Sequence, residues 1–272
     1  ATVRAHTAAA AIDAARGRID DAEAHRRRAA AAPGVDDSHL SQLLLAMAGA
    51  SIAAARGDGA AMVAELAAPF GGPLDPGVAA AGPSFWRVLV VEALLLADMV
   101  DEAADALVHL EAFIPGAPVA PHHFDTARLR GLLAAARGDD EGALDAHAAG
   151  LELVDERLAG APSRARLLAE HGRSLLRLAR PREAVGSLRE AREVLARLGA
   201  VPELERCDRD LARCGLPGGG GDARAPLALT DAEAKVARAV VSGLSNREVA
   251  EQLYVSTKTV EYHLRNIFTK LG

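Results

Sequence analysis

Apolar residues along most of this chain recur at three- and four-residue intervals, the spacing that keeps side chains on one face of a helix. Leu40, Leu43, Leu44 and Met47 follow it, as do Leu129, Leu132, Leu133 and Ala136. The polar turns between the apolar stretches recur as well. Turns open at Gly17, Gly57, Asp98, Gly138 and Ala179, with starts 40, 41, 40 and 41 residues apart. Each has a helical pattern before and after it. A fixed period of this size, one helical hairpin per unit, predicts an all-α helical solenoid over residues 1–216.

Punctuation supports the hairpins. Ser38, Ser84 and Ser163 are candidate N-caps, and Pro33, Pro73, Pro115 and Pro162 mark breaks between units. Arg56-Gly57-Asp58 and Arg137-Gly138-Asp139 suit a helix that ends on a left-handed Gly. A small residue opens each second helix (Ala22, Ala103, Ala143, Ala184), so that paired helices approach closely. The pattern resembles tetratricopeptide-like repeats, with units longer than the usual length of about 34 residues. That resemblance implies a surface for partner proteins or small inducers. A fold alone does not fix the ligand.

The composition changes at Pro217-Gly-Gly-Gly-Gly221-Asp-Ala-Arg-Ala-Pro226, so residues 217–226 read as a flexible Gly/Pro-rich linker. Beyond it, Thr230 and Glu233 form a capping box that opens a helix to about Ser242, with Val236, Ala237, Val240 and Val241 as its apolar face. Ser245 and Glu248 open a second, short helix through about Leu253, with Val249, Ala250 and Leu253 inward. Tyr254-Val255 makes a tight turn, and Ser256 caps a third helix reaching Leu271. Val260, Leu264, Ile267 and Leu271 form its core stripe, while Lys258, Glu261, Tyr262, Arg265 and Thr269 lie opposite. Two short helices joined this way, the second presenting polar and basic side chains, suit a DNA major groove.

The strings Leu229-Thr230-x-x-Glu233, Gly243-Leu-Ser-Asn-Arg-Glu248-Val-Ala, Leu253-x-Val-Ser256, Thr259-Val260-x-x-His263-Leu and Ile267-Phe-x-Lys270-Leu-Gly272 resemble the LuxR-type (GerE-type) helix-turn-helix. The resemblance covers residues 227–272. Together with the upstream repeats, it is similar to the C-terminal part of large ATP-binding LuxR-family activators of the maltose-regulator type. It implies a transcription regulator, more commonly an activator, bound to double-stranded DNA as a homodimer. A small inducer, a signalling protein or RNA polymerase would then meet the repeat domain. By resemblance and helix face, the base-contact candidates are Lys258, Glu261, Tyr262 and Arg265, with Arg265 suited to a guanine edge and Glu261 to a cytosine amine. Phosphate-contact candidates are Ser245, Asn246, Thr257, Thr259, His263, Asn266 and Lys270. Two departures stand out. No Gly-x-x-x-x-Gly-Lys-Ser/Thr string exists in this sequence, so no nucleotide cofactor is expected. The family's domain also carries a fourth helix, used to pair two copies, and this sequence stops at Gly272 before it.

Charge sharpens the division of labour. Residues 227–272 hold six basic and five acidic residues, a balance of +1, which leaves −7 of the chain's −6 on residues 1–226. DNA contact is therefore expected from the tail alone. Lysine occurs three times, against many arginines and alanines, a bias that looks like a high-GC bacterial genome. The first residue is Ala, which suggests a fragment or processed chain. No run of 18 uncharged apolar residues and no secretory leader is visible, so a cytoplasmic, nucleoid-associated protein is expected.

Other chemistry-bearing residues read as structural. His122-His123 lacks metal-ligand spacing and suits a helix start, and Arg26-Arg27-Arg28 suits a helix end. Phe85-Trp86 is expected in the packing between hairpins, and Cys207 and Cys214 as reduced thiols. No local nucleophile or metal signature points to an enzyme. A protein-interaction scaffold with a regulatory tail is the competing class.

Overall fold

The structure is a computed structural model. It describes residues 2–35, 38–74, 84–113, 121–152, 161–215, 236, 239, 246–253, 255–260 and 264. Every regular element among these residues is helical, as the spacing of apolar positions requires. The chain forms two compact units, Ala1–Gly220 and Gly221–Gly272.

In the first unit the hairpins are α1 (Thr2–Ala15) with α2 (Ile19–Ala30), α3 (His39–Arg56) with α4 (Gly59–Ala67), and α5 (Ser84–Leu96) with α6 (Val100–Phe113). They continue with α7 (Pro121–Ala136) and α8 (Asp140–Leu151), then α9 (Pro162–Arg177) and α10 (Pro181–Leu198), followed by α11 (Val201–Arg213). Within each pair the two helices pack on each other. The first helices also pack in series, α1 on α3, α3 on α5, α5 on α7 and α7 on α9.

One backbone device builds all five turns. Gly17, Gly57, Asp98, Gly138 and Ala179 have φ of 75°, 73°, 61°, 80° and 56°. At each of them the last helical turn closes through two backbone bonds, for example Gly57 N–H to Ala54 O at 3.0 Å and Asp58 N–H to Ala53 O at 3.0 Å. Ala179 and Arg180 repeat this onto Leu176 and Leu175. This is the Schellman termination, which needs a left-handed residue after the helix. Glycine adopts that conformation freely, whereas an alanine there carries strain of roughly 1 kcal/mol. Ala179→Gly is therefore expected to stabilise the unit by roughly 0.5 kcal/mol, allowing for the more flexible unfolded chain. Gly138→Ala, where a Cβ would meet open space, should do the reverse. Paired thermal melts check this, and a drop in melting temperature for Ala179→Gly would contradict it.

The residues that open the second helices seal the pairs. Ala22, Ala103, Ala143 and Ala184 are fully buried, and Met62 takes the corresponding place in α4. Asp58 and Asp139 cap their helices by accepting from Ala61 N–H at 2.9 Å and Gly142 N–H at 2.8 Å. Ser38 caps α3 as expected, accepting from Ser41 N–H. The other two serine caps are corrected. Ser163 lies inside α9, whose N-cap is Ala161 with Pro162 as the first helical residue, so the fixed φ of proline opens this helix. Ser84 is the first residue of α5 rather than its cap. Phe85 is also corrected, for it is about half exposed at the first turn of its helix. Trp86 is fully buried beside Phe70, as the core reading expected. His122-His123 and Arg27-Arg28 fall in the first turn of α7 and the last turn of α2.

Ion pairs tie one hairpin to the next. Arg26 holds both carboxylate oxygens of Glu65 at 2.7 and 2.8 Å, and Arg128 on α7 pairs with Glu92 on α5. Arg166 and Arg173 on α9 reach Glu203 and Asp210 on α11 at 2.9 and 2.8 Å. At the ends of the unit the turn after α1 meets α11. A Cβ on Gly17 would stand 3.3 Å from the Pro202 ring, and one on Gly199 3.7 Å from the Arg16 side chain.

Behind Arg128 lies a fully buried histidine. His147 Nε2 is 3.2 Å from the Arg128 carbonyl, and its Nδ1 is 3.0 Å from Ser174 Oγ. A carbonyl only accepts, so Nε2 carries the proton and Nδ1 accepts from the serine hydroxyl. Ser174 Oγ in turn accepts from Arg177 at 2.9 Å. The chain of bonds has one direction and is complete with a neutral ring. Burial holds the His147 pKa down to about 4. Burial likewise pushes the Cys207 thiol up to about 11, so this free cysteine stays protonated.

Candidate nucleic-acid interface

The second unit is built around a small core. Val249 and Val260 are fully buried, Val236, Ala239 and Ala250 nearly so, and Leu253 and Leu264 pack against them. Five of these seven were expected inward from the apolar spacing alone, together with Val236 from the first helix; Ala239 was missed. It lies one helical turn from Val236, and its small side chain gives little hydrophobic signal.

Asn246–Leu253 forms helix α12, within the bounds the second capping box implied. Its end is closed by Val255 N–H donating to Ala250 O at 3.0 Å. The chain then re-enters a helix at 257–260. Ser256 opens it: Oγ accepts from Thr259 N–H at 3.1 Å and lies 2.8 Å from Thr259 Oγ1. Ser256 is thus an N-cap whose bond to the third following residue fixes where this helix starts.

That start sets the phase of the helix. Val260 points into the core, while Thr257 and Lys258 are exposed and Thr259 is half-buried. At about 100° per residue Lys258 stands nearly opposite Val260. A cation and a hydroxyl at the solvent end of a capped helix, beside free backbone N–H groups, form an arrangement that attracts phosphate. Asn246 is exposed at the first turn of α12. Of the remaining candidates, Ser245, Glu261, Tyr262, His263, Arg265, Asn266 and Lys270 lie outside the described residues, as do the linker 217–226 and the capping box at Thr230 and Glu233.

Residues 227–272 match the family model described as "Bacterial regulatory proteins, luxR family". This segment is a LuxR-type DNA-binding domain. Its curated relatives agree. The LuxR-type segment is 48% identical over 44 residues to a nitrate/nitrite response regulator protein homolog of Haemophilus influenzae, covering 16% of this chain and 21% of that one. It is 48% identical over 46 residues to the Fimbriae Z protein of Salmonella typhimurium, covering 17% and 22%. The oxygen regulatory protein NreC of Staphylococcus aureus is 46% identical over 44 residues, covering 16% and 20%. This chain therefore spans about a fifth of the length of these relatives, and the likeness is confined to the LuxR-type domain.

Among the described residues no helix is long and apolar enough to cross a membrane. No group of three or more His, Cys, Asp or Glu side chains among them is placed to hold a metal ion.

Proposed function

We propose that this chain is a transcription regulator, an activator, whose LuxR-type domain binds double-stranded DNA as a homodimer. The tetratricopeptide-like unit 1–216 receives a signal or a partner, and the Gly/Pro-rich linker 217–226 joins the two. The observation that carries the reading is the helix capped by Ser256, with Val260 in the core and Thr257 and Lys258 exposed. Continuing the helical period past Val260 brings Glu261, Tyr262 and Arg265 to the face of Lys258, and these four are the base-reading set. Ser245, Asn246, Thr257, Thr259, His263, Asn266 and Lys270 are assigned to phosphates. LuxR-type domains commonly carry lysine where this chain has Glu261, so its base preference is expected to differ. The acidic balance of the first unit keeps that unit off the phosphate backbone.

The test is a titration of the full chain against a duplex selected from a randomised pool. Affinity should fall steeply and linearly on a log–log plot against salt, as counterions are released. Lys258→Ala should weaken it roughly tenfold. Binding that is absent, or indifferent to salt, would overturn the reading and favour a protein scaffold.

A further inference from the structure

The first helices of the hairpins surround a cavity of about 520 Å³. It lies wholly within the first unit, between α1, α3, α5, α7, α9 and α11. Its walls are of two kinds. One is apolar and largely small, with Ala15, Ala55, Leu95, Leu96, Leu132 and Ala136 on the lining. Alanine at so many positions leaves the space empty where larger side chains would have filled it.

The other wall is charged. Four guanidinium groups (Arg128, Arg166, Arg173 and Arg206) line it, against three carboxylates. Each carboxylate is already engaged: Glu92 by Arg128, Glu203 by Arg166 and Glu170 by Arg173. Asp210, off the lining, takes up a second bond from Arg173. Arg128, with only 7% of its side chain exposed, is committed to Glu92. One donor remains. Arg206 is exposed on the lining and has no ion pair among the described residues. An exposed guanidinium at the edge of an apolar wall is a ready partner for an anion.

We propose that this cavity binds a small amphiphile with an apolar body and a carboxylate head. The head is held by Arg206, and the body lies along the wall of Ala55, Leu95, Leu132 and Ala136. The proposal rests on the reading of the first unit as the signal-receiving part. It narrows that signal to one chemistry: neutral or cationic molecules gain nothing from the Arg206 guanidinium, and a bulky polar ligand would desolvate against alanine and leucine.

The test is calorimetric titration of the full chain, without DNA, with decanoate, decanol and decylamine as length-matched probes. Decanoate should bind at one site per chain, and decylamine roughly tenfold more weakly or less. Arg206→Glu, a change at an exposed residue, should weaken decanoate roughly tenfold and narrow its lead over decylamine. Ala136→Trp, also at an exposed position, should weaken decanoate and decanol together by filling the apolar wall. Circular dichroism melts confirm that both variants fold. No binding of decanoate at millimolar concentration, equal affinity for decylamine, or decanoate affinity untouched by both variants would overturn the proposal. A chain that takes decanoate and ignores duplex DNA overturns the DNA reading alone, and the opposite pair of results overturns this one alone.

Discussion

Replacing Arg265 by alanine should cost the full chain roughly ten- to a hundredfold in affinity for its selected duplex at each half-site it occupies. A guanidinium that meets the two acceptors on a guanine edge discriminates by about 1–3 kcal/mol, and truncation forfeits both bonds at once. In a homodimer the loss is incurred twice. The effect should also be sequence-selective. Arg265→Ala should lower binding to the selected site far more than to random DNA, because backbone attraction from other cations persists. Arg209→Ala, an exposed arginine on α11 in the other unit, is the matched control and should leave affinity unchanged. Equal losses on selected and random duplex would reassign Arg265 to the phosphates, and no loss on either would remove it from the interface.

Acid should weaken the first unit through His147. Its folded pKa is depressed from 6.5 to about 4, with burial the largest cause. In the unfolded chain the same ring takes up a proton near pH 6.5, so the stability it contributes is complete above that pH. It is lost as pH falls towards 4, and the whole span amounts to about 3 kcal/mol. His171, also lowered by burial and by Arg180, acts in the same direction. Urea midpoints measured from pH 7.5 to 4.5 should therefore decline for the wild type. They should decline less steeply for His147→Gln, which can still donate to the Arg128 carbonyl. Parallel slopes for the two proteins would show that His147 does not carry the transition.

How much of this was legible in the sequence depended on whether the signal was local. Three of the five turns announce themselves by glycine, at Gly17, Gly57 and Gly138. At Asp98 and Ala179 only the 40- and 41-residue spacing marks a turn, and the left-handed backbone there is a finding of the structure. The capping serines divided the same way. Ser38 and Ser256 accept bonds from the third following N–H, as their patterns implied, whereas at Ser163 the preceding Pro162 had already opened the helix. Phe85 is half exposed beside fully buried Trp86, because residues one apart on a helix face different directions. What no local pattern held was long-range: the ion pairs from α9 to α11, the neutral His147 behind Arg128, and the cavity edged by Arg206. Such features depend on pairs of residues tens of positions apart, and periodicity is blind to them. In the LuxR-type domain the caps and apolar spacing located α12 and the helical start at 257–260. The base-reading set proposed there rests on helical phase and resemblance.

The meeting of the α1 turn with α11, through Gly17 and Pro202, changes how the first unit should come apart. In an open array each repeat answers only to its neighbours, so unfolding frays inward from either end and partial unfolding is cheap. Here the turn after α1 also stands close to the Pro202 ring of α11, so the first hairpin has a second neighbour. Melting should then be a single cooperative event, with amides of α1 exchanging with solvent nearly as slowly as those of α5 and α7.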